Sequence, residues 1–294
     1  MTKAKEVLPG IGTGSYGTLK WLPILMYHHV VPQRHQGLEH LEVTFDEFDQ
    51  QMKYLREHGY GSIHLDEATR GLAQGQHTVD RPVVITFDDG YLDVFLHAFP
   101  ILKNYSFTAD LFLVSSHLDP TGSGAAALTS RLPLMGVEQI EQMAAYGISF
   151  GSHSLTHRRL TEINRQEAWE EIQGSKIALE RLLGLPVDSF SFPYGSSTPA
   201  LREMARQAGY LRACGIDQRE HELYNLSRID ASRCRGADLR WQMRTSGLYF
   251  NLRQRNSLRK LKDFLFRRKP HLDPDGCGPD GFAVDEALRQ GGPT

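Results

Sequence analysis

Asp88 and Asp89 stand side by side after the run Val83-Val84-Ile85-Thr86-Phe87 and before Gly90-Tyr91. Two carboxylates this close repel unless a cation divides their roles. The run before them suits a parallel strand covered on both faces, and such strands deliver reactive residues at their carboxyl end. Gly90 permits a turn there, so that both carboxylates can face one cleft. A second pair, His153 and His157, lies four residues apart in His153-Ser154-Leu155-Thr156-His157, after the short apolar stretch Ile148-Ser149-Phe150-Gly151. Two imidazoles and one carboxylate leave a fourth position open on a bound ion, the composition of a catalytic zinc site. An isolated Asp-Asp-Gly is more often a solvated turn, and an isolated His-x-x-x-His is more often structural. Their joint placement at two predicted strand exits on one rim carries the chemical reading.

The elements that must hold these residues alternate along the chain. Pro23 to Val30 reads as a first strand that ends in His28 and His29, and alternation points one of the two inward. Thr44 and Glu47 form a capping box before Phe45, Phe48, Met52 and Leu55, and Gly59 closes that helix. A short helix lies within Ile63–Leu72, and a polar loop over Gln74–Arg81 leads to the Asp-Asp strand. Helices are predicted over Asp93–Lys103, Val137–Ala145, Glu167–Leu183 and Leu201–Ala208. Strands are predicted over Thr108–Val114, Ile148–Gly151 and Ser189–Phe192, the last followed by Pro193-Tyr194-Gly195. Strand and helix alternating in this way predict a parallel α/β barrel, incomplete or distorted, in a single catalytic domain.

Composition excludes several classes. The chain has 294 residues, 40% hydrophobic and 23% charged, with a formal net charge of −2, which is ordinary globular composition without the basic excess of a nucleic-acid binder. Cys214, Cys234 and Cys277 are scattered and form no CxxC pair, so neither a disulfide framework nor a thiolate metal site is expected. Gly12 to Gly17 fits GxGxxG, but no strand precedes it and no helix follows, so the dinucleotide reading fails. The apolar stretch Trp21–Val31 is too short to span a bilayer and lacks a cleavage site. The expected location is cytoplasmic.

Thr86-Phe87-Asp88-Asp89-Gly90, His153-Ser154-Leu155-Thr156-His157 and Phe192-Pro193-Tyr194-Gly195 together resemble the first three motifs of the polysaccharide deacetylase family (NodB homology domain, carbohydrate esterase family 4). The resemblance runs from about Ile24 to Asp230. Met26-Tyr27-His28-His29-Val30 and the Tyr91 after Asp-Asp-Gly resemble the branch of poly-N-acetylglucosamine deacetylases. The resemblance implies a NodB-type barrel. It implies that Asp89, His153 and His157 hold a divalent metal, commonly zinc, that Asp88 is the general base toward water, and that the Tyr194 backbone N–H stabilises an oxyanion. The substrate class it implies is an N-acetylated hexosamine in a polysaccharide, oligosaccharide or glycolipid.

Two departures stand out. Many family members carry an arginine three residues before the tyrosine, where this chain has Ser191, and Arg228 is the candidate to hold Asp88 instead. The family's late leucine-x-histidine strand, the source of its general acid, has no match. His28 is the favoured substitute, ahead of His29, His221 or a water. These departures keep two other classes in view: a non-catalytic glycan-binding module on the same fold, and an amidohydrolase of another small amide.

The expected domain plan is a flexible leader over 1–20, the catalytic domain over 21–245, a basic amphipathic helix over 246–270, and a disordered tail over 271–294. Residues 251–269 carry eight Lys or Arg and one acid, and Leu258, Leu261, Phe264 and Leu265 could line one face. Packing on the barrel and contact with an anionic membrane surface or glycan are both open readings of that helix.

Overall fold

The computed structural model describes residues 22–74, 77–118, 133–216 and 222–234. The expected leader, the basic helix, the tail, the GxGxxG stretch and His221 lie outside them. In chain order the elements are β1 (Ile24–Tyr27), β2 (His29–Val31), β3 (Glu42–Thr44), α1 (Phe45–Glu57), β4 (Gly61–Ser62), α2 (Leu65–Gln74) and β5 (Pro82–Phe87). There follow α3 (Phe99–Tyr105), β6 (Asp110–Leu113), α4 (Val137–Tyr146), β7 (Ser149–Ser152), α5 (Arg165–Leu183), β8 (Ser189–Ser191), α6 (Pro199–Gln207), β9 (Arg212–Gly215), β10 (Leu226–Ser227) and β11 (Ile229–Asp230).

The main sheet runs β10-β9-β8-β7-β6-β5-β1-β11, with β4 beside β5. The pairings are parallel. Its two ends belong to one short stretch of chain. Residues 226–227 pair with β9, and residues 229–230 pair with β1. This stretch draws the open edges together into a nearly closed barrel, which satisfies edge groups that an open sheet would expose. Arg228 sits at the join.

Alternation along β5 explains what the barrel holds. Val83, Ile85 and Phe87 pack outward into the large core beneath the helices. Val84 faces a second apolar cluster with Ile24, Phe112, Cys214 and Leu226. The period of two then carries Thr86 and Asp88 inward as well.

Pro23 to Val30 is not one strand. β1 ends at Tyr27, and β2 leaves the barrel to pair with β3. His28, at the break, continues the inward face of Ile24 and Met26. His29 faces outward, where its Nδ1 meets Asp93 Oδ2 at 2.6 Å and its ring lies 3.6 Å from that of Tyr91.

The helix predicted over Asp93–Lys103 also divides. Val94–Ala98 is a π-helical turn leading into α3. Pro100 has no N–H for the ladder, and the Phe99 N–H reaches back five residues to the Val94 carbonyl, a widening that accommodates the proline. The Thr44–Glu47 box caps α1 as expected, and Asn164 with Glu167 caps α5 in the same way. Among the described residues, no helix is long and apolar enough to cross a membrane.

Candidate active site

The site sits at the carboxyl ends of β1, β5, β7 and β8. The turn after β5 settles how adjacent carboxylates share one cleft. Asp88 follows the inward face of the strand, and its N–H donates to the Tyr27 carbonyl at 2.9 Å. Asp89 then adopts a left-handed backbone, φ 71°, and Gly90 follows at φ 82°. The first reversal swings the Asp89 side chain back toward the cleft. A side chain at position 90 would lie 2.7 Å from Leu113 Cδ2 and force that side chain to shift, and the left-handed backbone itself favours glycine.

His153 follows β7 directly and is buried. Its Nδ1 lies 2.8 Å from the Ser191 carbonyl oxygen, which accepts the Nδ1–H and leaves Nε2 as a bare lone pair facing the cleft. His153 Nε2 is 3.4 Å and His157 Nε2 is 3.3 Å from Asp89 Oδ1. Asp89 Oδ1 is buried and accepts no hydrogen bond. Ligand bonds of about 2.0–2.1 Å at a tetrahedral angle put donor atoms about 3.3–3.4 Å apart. The three donors therefore fit a divalent metal in spacing, in chemistry and in having an oxygen with no other partner. Among the described residues, Asp89, His153 and His157 are the group so placed.

Charge is distributed unevenly over the pair. Burial, and after it the negative charge of Asp88, push Asp89 up to about 7, against a hydrogen bond from the Tyr91 side chain. Burial would raise Asp88 too, but the Arg228 charge, then His153 and the Arg228 hydrogen bonds, hold it well below the usual carboxylate range. Arg228 Nη1 donates to Asp88 Oδ1 and Nη2 donates to Oδ2, both at 2.7 Å. Nη2 also donates to the Ser191 hydroxyl at 2.9 Å, and Nη1 to the Thr86 hydroxyl at 3.3 Å. This planar fork fixes the orientation of Asp88.

His28 completes the cluster. Its Nδ1 is buried without a hydrogen-bond partner. Burial lowers its pKa to about 4, with Asp88 opposing that shift and Arg228, His29 and His157 adding to it. Tyr194 lies in the turn after β8, itself left-handed at φ 58°. The residue is 41% exposed, with its ring 4.8 Å from the His157 ring and 3.8 Å beneath the Arg159 guanidinium.

Residues 75–213 match the model of the polysaccharide deacetylase family. The chain is 30% identical over 72% of its length, and over 71% of the relative, to YxkH of Bacillus subtilis (strain 168), provisionally named a polysaccharide deacetylase. It belongs to the polysaccharide deacetylase family. It is also 26% identical to a poly-beta-1,6-N-acetyl-D-glucosamine N-deacetylase of Staphylococcus epidermidis, over 54% of this chain and 55% of that one. Among solved structures, the Streptococcus pyogenes deacetylase PplD in complex with acetate aligns with a TM-score of 0.63 at 25% identity, covering 77% of this chain and 99% of that one.

As a polysaccharide deacetylase, this chain carries Ser191 where the family resemblance implies an arginine. That residue has two other contacts: its carbonyl orients His153, and its hydroxyl accepts from Arg228. Arg228 reaches Asp88 from 140 residues away, because closure of the barrel brings β11 beside β1. Sequence reasoning missed the Tyr91 hydrogen bond to Asp89. The only signal for it was the tyrosine placed two residues after the ligand.

Proposed function

We propose that the protein is a metal-dependent N-deacetylase that removes acetyl groups from N-acetylhexosamine residues of a glycan, with the poly-N-acetylglucosamine type as the leading substrate class. The observation that carries this reading is the triad Asp89, His153 and His157, set at ligand spacing beside an aspartate clamped by arginine. The relative of Staphylococcus epidermidis supports the choice of sugar.

Asp89, His153 and His157 would hold the metal, zinc by the donor set. A divalent ion at such a site polarises a carbonyl and lowers the pKa of bound water from about 15.7 to about 7. Asp88 receives the proton of the attacking water, and Arg228 keeps both of its oxygens in place for that transfer. The Tyr194 backbone N–H donates to the oxygen of the tetrahedral intermediate, a contact worth roughly 3–4 kcal/mol in acyl transfer.

The departing amine needs a proton, since an amide anion is a poor leaving group, and His28 supplies it. At rest His28 is neutral. Negative charge developing on the substrate favours its charged form, so its protonation is tied to the tetrahedral stage. At that stage the proton held by Asp88 passes to His28 and from His28 to the departing amine, so both groups return to their resting forms, and the balance is amide plus water giving acetic acid and amine.

The test is metal analysis of the purified chain together with acetate release from poly-N-acetylglucosamine and chitooligosaccharides. Asp89→Ala, His153→Ala and His157→Ala are each expected to lower metal occupancy and acetate release together. Full occupancy in all three variants sinks the ligand assignment. Metal-replete protein that binds sugar without releasing acetate makes it a binding module, and release of a different acid makes it another amidohydrolase.

A further inference from the structure

Glu171 has no part in the chemistry above, yet it is a carboxylate only 4% exposed, and its contacts converge on the loop between the two histidines. On Oε2 it accepts the N–H of Leu155 at 3.0 Å and that of Thr156 at 2.8 Å. On Oε1 it accepts the Thr156 hydroxyl. Its own backbone carbonyl takes a further share of the Leu155 N–H at 3.1 Å. Three donors thus converge on one charged acceptor carried by α5, and charge-assisted bonds of this kind are the strong ones.

The loop needs holding. Ser154 (φ 69°) and His157 (φ 62°) are both left-handed without being glycine, a conformation that side chains do not favour and that surrounding contacts must enforce. Inside the loop, the His157 N–H donates to the Ser154 hydroxyl at 3.0 Å. From the β6 side, the Ser116 N–H donates to the Leu155 carbonyl at 2.9 Å. The Ser115 N–H and hydroxyl donate to the Ser154 carbonyl at 3.3 and 3.4 Å, and from the α5 side the anchor is Glu171.

The two histidines differ in how far they depend on it. His153 is fixed by the barrel itself, through its N–H to the Leu113 carbonyl at 2.8 Å and its Nδ1 to Ser191. His157 lies at the far end of the loop. We infer that Glu171 is a positioning residue that sets His157 against Asp89 and His153, and through it the affinity of the site for its metal. This inference rests on the reading of those three residues as ligands.

The experiment measures Zn²⁺ affinity of the full chain by competition with a chromophoric chelator, with a metal-free melt of each variant. Outer contacts of metal ligands typically govern about 10–100-fold in affinity. That loss is expected for Glu171→Ala and for Glu171→Asp, whose carboxylate is withdrawn by one methylene. Glu171→Gln keeps an acceptor oxygen for both backbone N–H groups and is expected between these and the wild type. Arg212→Met, at the opposite end of the barrel, should lower the melting temperature and leave Zn²⁺ affinity unchanged.

A folded Glu171→Ala protein with wild-type Zn²⁺ affinity overturns the inference. If that variant does not fold, wild-type affinity in Glu171→Asp overturns it equally. An Arg212→Met protein that loses as much affinity makes the effect general loosening and also overturns it. Should the wild-type chain bind no Zn²⁺, the ligand assignment itself falls and takes this inference with it. Binding by both wild type and Glu171→Ala removes only the role of Glu171.

Discussion

Each end of the barrel buries an arginine, and the two are neutralised differently. At the end where the strands begin, Arg212 donates to Asp66 at 2.5 Å, to the Thr69 hydroxyl at 3.2 Å and to the Ser189 hydroxyl at 3.1 Å. Asp66 is 47% exposed, so water shares in balancing the charge. Beside it Asp110 accepts the Leu65 N–H at 3.1 Å. These bonds fasten α2 over that end of the barrel. At the mouth, Arg228 and Asp88 are both buried, and a second carboxylate stands against them with one oxygen that accepts nothing. His28 Nδ1 is likewise unpartnered. Buried polar groups normally find partners. At the other end His64 Nδ1 has no hydrogen bond but lies 3.5 Å from Asp110 Oδ2. A network that pairs its charged members holds a fold together, and one that leaves a carboxylate oxygen and an imidazole nitrogen without partners is set up for a ligand. The usual division of such barrels, stability at one end and chemistry at the other, follows from that difference.

Asp88→Asn breaks the comparison most severely. The amide keeps the shape but has no basic oxygen, so kcat is expected to fall by about 10²–10⁴-fold with metal still bound. Arg228 loses its counter-charge as well, so the melting temperature should drop, and rates belong well below it. Near-native turnover of a folded, metal-replete variant removes Asp88 as the base.

His28→Ala comes next. A lost proton donor costs on the order of 10²-fold in kcat, with metal occupancy unchanged. Because His28 is neutral at rest, its titration lies on the acid side of the kcat/KM profile, which should change in the variant. An active variant with the wild-type profile rules His28 out and moves attention to His29, His221 or a water. His29 is the weaker of these, since it is turned outward onto Asp93.

Arg212→Met tests the other end. Removing a charged donor from three acceptors is expected to cost about 2–3 kcal/mol, seen as a melting temperature lower by about 4–10 °C, while kcat at 25 °C stays within about twofold of wild type. A large loss of kcat in a folded variant would show that the two ends are coupled.

The chemistry at the mouth was legible before the fold because its parts are local. Asp88-Asp89-Gly90 and His153 to His157 are contiguous motifs, and strand-end placement follows from apolar runs. The capping residues Thr44 and Glu47 were legible for the same reason. What escaped depends on contacts distant in the chain. The break at His28 arises because β2 finds a partner in β3, which no local pattern encodes. Barrel closure by residues 226–230 joins two sheet edges through strands of two residues each, too short to show alternation. Arg228 could be named as a candidate only because Asp88 lacked its usual partner. Glu171 reads as one more polar position on an amphipathic helix, and its burial appears only when α5 meets the histidine loop. The π-helical turn before Pro100 had a local signal, but an apolar pattern at helical spacing masked it.

The smallest expected effect concerns stability at the mouth. In metal-free protein Asp89 holds its proton up to about 7, whereas an unfolded chain releases it near about 3.9. Between those values the folded state binds more protons than the unfolded one, so stability falls as pH rises, and the full penalty is present above about 7. Asp89→Asn removes the charge and keeps the shape. The metal-free variant should therefore be more stable than metal-free wild type at pH 8, by about 1–2 kcal/mol once water in the cleft has screened part of the repulsion, and equal to it near pH 4. Excess Zn²⁺ should reverse the order, because only the wild type gains binding energy in the folded state. Thermal melts of EDTA-treated and Zn²⁺-loaded proteins across pH 4–8 check both halves. A gain independent of pH would mean that Asp89→Asn acts through packing, and that the mouth holds no electrostatic strain for a metal to relieve.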